Sequence, residues 1–286
     1  MSIWEALILG IVQGITEFLP VSSSGHLVLL QKIFGITEPV LVFDTAVHGG
    51  TLIAVLVVLR QDIWNILRRI FQPLTLYLII ATIPTVIAAL LFKNQLENAF
   101  ASGAFLCFAF LITSALLFLS EKLFRRSQGS GGYPARLEAA APGKFQDEMN
   151  WLDALVIGLL QAVAIVPGIS RSGATISAAL ARRLNRDFAA RFSFLLSIPT
   201  ILGALVLQAK ELIDAGAASG TPTGSLGGVG LIPLTVGVIS SCLAGFFSVR
   251  ITLKIVREHS LLGFSLYTGI LGVLVLIDRF WTHFFF

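Results

Sequence analysis

A carboxylate, an imidazole and a guanidinium stand in or beside two serine- and glycine-rich breaks in otherwise apolar sequence. The first break is Pro20-Val21-Ser22-Ser23-Ser24-Gly25-His26, with Glu17 just before it. The second is Pro167-Gly168-Ile169-Ser170-Arg171-Ser172-Gly173-Ala174-Thr175. Each sets serines ahead of a new apolar run, where Ser22, Ser23, Ser24, Ser170 and Ser172 are natural helix N-caps. Helices starting there aim unpaired amides and positive dipole ends into the break. Arg171 adds a permanent charge and a planar donor fork suited to phosphate. The chemistry these groups describe together is the binding of an anion, with acid–base groups at hand.

The two breaks are related. Residues 4–27 align with 152–175 at an offset of 148, with seven identities in 24 positions: Ala6/Ala154, Leu7/Leu155, Gly10/Gly158, Gln13/Gln161, Ser22/Ser170, Ser24/Ser172 and Gly25/Gly173. The copies differ where charge is concerned. Glu17 and His26 face Ile165 and Ala174 in the second copy, and Arg171 faces Ser23 in the first. One copy thus supplies the carboxylate and imidazole, the other the guanidinium. Broken helices at matching positions of two repeats point to a binding site within a membrane protein.

Glu17 lies in an apolar setting, where an unpaired carboxylate is costly. It reads as a metal ligand or general base, or as a structural ion-pair partner of Arg171. Gln13, four residues earlier, shares its helical face and can add a neutral oxygen to a cation site. His26 begins the second helix among three hydroxyls and suits acid–base or nucleophilic work. Asp44 and His48, an i, i+4 pair, are either metal-side groups or a solvated interfacial pair.

The elements that must hold these groups follow from composition. Hydrophobic residues make up 56% and charged residues 13% of the 286, and the mean hydropathy is +0.88. Such a chain is an integral membrane protein. Six stretches are long enough to cross a bilayer, near 42–59, 74–92, 103–120, 192–209, 231–249 and 261–278. Four shorter apolar pieces, near 3–18, 24–34, 152–166 and 173–183, pair across the two breaks. Each pair reads as a re-entrant helical hairpin, the alternative being four more ordinary spans. Non-helical backbone at membrane depth must be buried in protein or line a polar cavity. The expected fold is therefore an all-α polytopic integral membrane protein. It forms a single membrane domain of two inverted repeats, 1–120 and 151–286, each with a re-entrant hairpin and three transmembrane helices.

Positive charge orients it. With the loop after the first span inside, fifteen Lys and Arg fall on the cytoplasmic side and four outside, Arg171 making up the 20. Cytoplasmic excess of this kind sets orientation. Both termini fall outside, and the net charge of +4 is a topology signal rather than a nucleic-acid footprint. The first 30 residues hold no Lys or Arg, unlike a cleavable signal peptide. The stretch 121–150 reads as a cytoplasmic linker and 215–230 as a flexible outer loop. Cys107 and Cys242 have no spacing partner and read as packing residues.

With these residues in view, the chain resembles the undecaprenyl-diphosphatase family, membrane enzymes also known for bacitracin resistance. The run Gln13 to His26 is similar to that family's glutamate-rich motif, and Pro167 to Thr175 looks like its second signature. The resemblance implies a bacterial inner-membrane enzyme that hydrolyses undecaprenyl diphosphate to the monophosphate and phosphate. That step recycles the lipid carrier for peptidoglycan. It also implies dependence on Mg²⁺ or Ca²⁺ and an active site opening to the outer face. Glu17, Ser23, His26, Ser170, Arg171 and Thr175 match the family's active-site positions. On this reading Glu17, Ser23, His26 and Arg171 are catalytic. Gln13, Ser22, Ser24, Gly25, Gly168, Ser170, Ser172, Gly173 and Thr175 bind substrate, while Glu17 and Asp44 are candidate metal ligands. Expected partners are the lipid substrate and membrane lipids, with a homodimer left open. Position 13 is Gln where many members carry Glu, which weakens any charged role there. A polyprenyl-phosphate flippase or anion transporter built on the same repeats is the alternative. A third reading, the other membrane lipid-phosphatase superfamily, needs a His and Asp beyond its Ser-Arg. Residues 172–184 hold neither.

Overall fold

The computed structural model describes residues 1–36, 40–92, 95, 105–127, 143–219 and 229–283. Among these the chain is helical throughout its regular structure, in the order α1 (Ile3–Thr16), α2 (Ser23–Ile33), α3 (Leu41–Val58), α4 (Arg60–Arg68), α5 (Pro73–Leu91) and α6 (Leu106–Ser127). The second half follows as α7 (Trp151–Val163), α8 (Arg171–Ala181), α9 (Arg186–Ser219), α10 (Leu231–Glu258) and α11 (Leu262–Ile277). Six helices, α3, α5, α6, α9, α10 and α11, are long and apolar enough to cross a membrane. They coincide with the six stretches expected from hydropathy. The remaining short helices of the two pairs cannot span: α1 has 14 residues and α2 has 11, about 21 and 16 Å against a core of about 30 Å.

Local sequence explains where each pair begins and breaks. Ser2 and Glu5 form a capping box at the start of α1, and Asn150 with Asp153 does the same for α7. These residues sit at the same 148-residue offset as the breaks. Restarting the helix also follows one rule in both copies. Ser22 Oγ accepts the Gly25 amide at 3.2 Å, and Ser170 Oγ accepts the Gly173 amide at 3.0 Å. Each serine satisfies an amide that the first turn leaves unbonded.

Each leading helix then packs against the other half. Gly10 of α1 lies so close to α10 that a Cβ there would come within 2.1 Å of Ser240 Oγ and 2.5 Å of the Gly237 carbonyl oxygen. Its counterpart Gly158 of α7 lies against α5, where a Cβ would reach 2.4 Å from the Ala81 carbonyl oxygen. Small residues at such crossings allow backbone approach where the lipid offers no hydrophobic drive. Between the halves, α6 and α11 are joined reciprocally. Ser114 Oγ donates to the Ser265 carbonyl at 2.7 Å, and Ser265 Oγ donates to the Ser114 carbonyl at 2.8 Å.

Three boundaries differ from the sequence reading. A short amphipathic helix, α4, follows the first span; its charged Arg60, Asp62 and Arg68 hide it from an apolar-run criterion. Helix α6 runs on to Ser127, so 121–127 is not linker. Glu121 there is buried and accepts Arg186 Nη2 at 2.6 Å and the Leu261 amide at 3.2 Å. Internal pairing of this kind lets a polar segment continue a buried helix. At the far end of the linker, Lys144 pairs its backbone with Arg183 and Asn185, and its ammonium reaches Asp153 at 3.2 Å. The linker's 128–142 lies outside the described residues. Of the expected outer loop, 215–219 continues α9 and 220–228 lies outside the described residues.

Candidate active site

The tips of the two hairpins touch. The Gly168 amide donates to Ser24 Oγ at 3.2 Å, and Ser172 Oγ donates to the Leu19 carbonyl at 2.9 Å. Gly168 has φ +89°, a conformation that an L side chain resists, and a Cβ would also strike Leu106 and Ala109. Helix α6 supports both tips from behind: Thr113 Oγ1 accepts the Ser170 amide at 3.0 Å, and Phe110 packs edge-on to the His26 ring.

At this junction Arg171 Nη2 forms an ion pair with Glu17 Oε1. The other carboxylate oxygen, Oε2, accepts the Ser23 hydroxyl at 2.6 Å and the Gln13 amide at 2.9 Å. His48 Nε2 stands 3.5 Å from the same oxygen. Glu17 is 5% exposed, so the carboxylate is held almost wholly by protein donors, as a buried charge requires. Its guanidinium partner keeps more access to solvent. Ser23 is the first residue of α2 and Arg171 the first of α8, so hydroxyl and guanidinium both sit at helix N-termini, where an anion is favoured.

Several other expected site residues build the tips. Ser22 and Ser170 spend their hydroxyls as caps, Ser24 accepts the Gly168 amide, and Gly25 and Gly173 supply the capped amides. The Thr175 hydroxyl turns to Ser193 Oγ at 2.6 Å and to its own helix. Asp44 is engaged with its own neighbours. Its Oδ1 accepts Gln31 Nε2 at 2.7 Å, and its carbonyl accepts His48 Nδ1 at 2.6 Å. His26 is also engaged away from the carboxylate, with Nδ1 on the Ser22 carbonyl at 2.6 Å and Nε2 on the Tyr267 hydroxyl at 2.7 Å.

Gln13 Oε1 is buried with no hydrogen-bond partner, on a side chain whose amide nitrogen already serves Glu17. One carboxylate with one orphaned amide oxygen fits a Mg²⁺-type ion that keeps its waters and takes its other ligands from phosphate. Among the described residues, no group of three or more His, Cys, Asp or Glu forms a closed metal cage.

This geometry belongs to a sequence with many relatives. The family described as bacitracin resistance protein BacA matches residues 6–274. The chain belongs to that family. A protein of Carboxydothermus hydrogenoformans named undecaprenyl-diphosphatase is 46% identical over 277 residues, covering 97% of each chain. One of Halothermothrix orenii with the same name is 38% identical over 97% of this chain and 98% of its own. Undecaprenyl-diphosphatase 3 of Bacillus cereus is 40% identical over 96% and 97% respectively.

In this BacA-family chain, sequence reasoning missed three side chains that shape the site: Thr113, Ser193 and Tyr267. Each approaches from a spanning helix whose sequence carries no local motif. His48 was visible as a partner of Asp44, but its approach to Glu17 depends on how α3 packs beside α1.

Proposed function

We propose that this protein hydrolyses undecaprenyl diphosphate to undecaprenyl phosphate and inorganic phosphate. The observation that carries the reading is the Ser23 hydroxyl, bonded to Glu17 Oε2 at 2.6 Å while Arg171 holds Oε1. That is a nucleophile beside a base, with a cation poised for phosphoryl oxygens. The product is the lipid carrier used for wall polymers, which agrees with bacitracin resistance in the family description.

The diphosphate enters at the facing N-termini of α2 and α8. Arg171 leaves Glu17 for the phosphoryl oxygens, which frees carboxylate Oε1 while Oε2 stays beside the Ser23 hydroxyl. Ser23 Oγ bonds the terminal phosphorus as the bond from phosphorus to the bridging oxygen breaks. The bridging oxygen leaves with its electron pair on undecaprenyl phosphate, and the Ser23 proton passes to Glu17. Water attack then cleaves the Oγ–P bond, Glu17 returns the proton to Ser23, and phosphate departs with the water's oxygen. Charge stabilisation and positioning dominate such transfers. Glu17 and Gln13 Oε1 would hold a Mg²⁺ or Ca²⁺ ion. When bound, the ion neutralises charge on the diphosphate oxygens. A flippase or anion carrier would use Arg171 and the helix ends but would leave the Ser23–Glu17 pair without a task.

Phosphate release from undecaprenyl diphosphate by the purified protein in detergent tests this directly. We expect release with Mg²⁺ or Ca²⁺ and its loss on chelation. Binding of the lipid without any release would return the protein to the carrier reading. The two halves are read as inverted, both termini outside and the site opening outward in a bacterial inner membrane. The fifteen-to-four charge split and the meeting of the hairpin tips support that arrangement. Single cysteines near 151 and 183 should then be labelled from the cytoplasmic side alone. Labelling from opposite sides would mean that α7 and α8 together cross the bilayer.

A further inference from the structure

The nucleophile's position rests on an unusual backbone. Ser22, the residue before Ser23, has φ +72° and ψ +95°, although it is not glycine. Such conformations persist only where the surroundings over-determine them. Its carbonyl accepts two hydrogen bonds from one residue, the His26 amide at 3.2 Å and the His26 Nδ1 at 2.6 Å.

A carbonyl oxygen can only accept, so Nδ1 carries a proton. In the neutral ring Nε2 is then an acceptor, and the Tyr267 hydroxyl at 2.7 Å donates to it. The two rings also stack, 5.8 Å apart and 9° from parallel, and Phe110 lies edge-on to the imidazole at 5.6 Å. Both nitrogens are committed, and among the described hydrogen bonds His26 makes none to Glu17, Ser23 or Arg171.

We propose that His26 and Tyr267 are a positioning pair: Tyr267 sets the imidazole tautomer, and the imidazole clamps the strained Ser22 carbonyl that presents Ser23 to Glu17. Tyr267 lies in α11, so the last span of the second half tunes the nucleophile carried by the first. This rests on the diphosphatase reading with Ser23 as the reacting hydroxyl. Neither ring donates or accepts a proton in the reaction.

The distinguishing variant is His26→Asn, whose side-chain amide can donate from the place of Nδ1 but cannot titrate. With undecaprenyl diphosphate as substrate and purified full-length protein, we expect His26→Asn to keep at least about a tenth of kcat. His26→Ala should lose about a hundredfold, in line with a lost clamp and a relaxed nucleophile. Tyr267→Phe keeps the stack and removes the hydroxyl. It should lower kcat by about 3–10-fold, the scale of one hydrogen bond, with KM and the shape of the pH profile unchanged. Added to His26→Asn, which lacks Nε2, Tyr267→Phe should cost less than about twofold, because coupled residues are not additive. His26→Asn as inactive as His26→Ala, at unchanged thermal stability, would overturn the positioning role. If His26→Asn unfolds, Tyr267→Phe decides alone: full kcat, or a displaced limb of the pH profile, overturns it equally. Unaltered protein that releases no phosphate would instead remove the diphosphatase reading, and this inference with it.

Discussion

Arg171→Ala is expected to lower kcat for phosphate release by about 10²–10³-fold, the cost of removing a charge-stabilising donor from a preorganised site. The guanidinium has two tasks in sequence. It holds the Glu17 carboxylate in the resting site, and in the proposed mechanism it binds phosphoryl oxygens once substrate arrives. Its removal therefore also leaves Glu17 buried beside only neutral donors and His48. Breaking one side of a buried pair costs about 3–5 kcal/mol of stability, so the single variant should melt earlier in detergent. Adding Glu17→Gln neutralises the stranded charge. The double variant should recover thermal stability but no activity. Arg171→Lys keeps the charge without the planar fork and should stay well below the unaltered enzyme. Near-unaltered kcat of Arg171→Ala at a lowered melting temperature would show that Arg171 serves the fold and not the reaction.

Ser23→Ala should abolish turnover, with a loss of at least about 10³-fold, as expected when a nucleophile that acts as a unit with its base is removed. The side chain is small and half-buried, and among the described residues its one hydrogen bond goes to Glu17 Oε2. Thermal stability should therefore move little, which separates this variant from Arg171→Ala. Combined with Glu17→Gln, it should be no worse than the more damaging single change, since in the proposed mechanism hydroxyl and carboxylate perform one proton transfer. Acid quench during turnover, followed by mass spectrometry, should place a phosphoryl group on Ser23. Its absence, together with near-full activity of Ser23→Ala, would point to direct attack by water.

Much of this architecture was legible in the chain. Six apolar runs mark the spans because a bilayer imposes a minimum length, and the four shorter runs correspond to helices of 14, 11, 13 and 11 residues on either side of the two breaks. The offset of 148 carries over even to the caps, pairing Ser2 with Asn150 and Ser22 with Ser170. The ends of elements were less legible. Residues 121–127 look like linker by polarity, yet Glu121 and Arg186 neutralise each other in the interior and the helix continues. Polarity alone does not reveal a partner 65 residues away.

The site divides in the same way. Glu17 and Arg171 stood out in the sequence because ionisable residues in apolar surroundings are costly unless used, whereas Ser23 was set apart from the neighbouring serines only by the family resemblance. The number of groups that would meet could not be named. Ser22, Ser24, Ser170 and Ser172 look alike in the chain, but Ser22 and Ser170 cap their own helices while Ser24 and Ser172 tie the two tips together. His26 shares a loop with Ser23 yet turns to Tyr267, 241 residues on. Helix starts, apolar lengths and rare charges are properties of a segment and its solvent, so they are written locally. Which serine hydroxyls are taken up between the tips and which imidazole nitrogen carries the proton depend on groups far along the chain, and only packing brings those groups together.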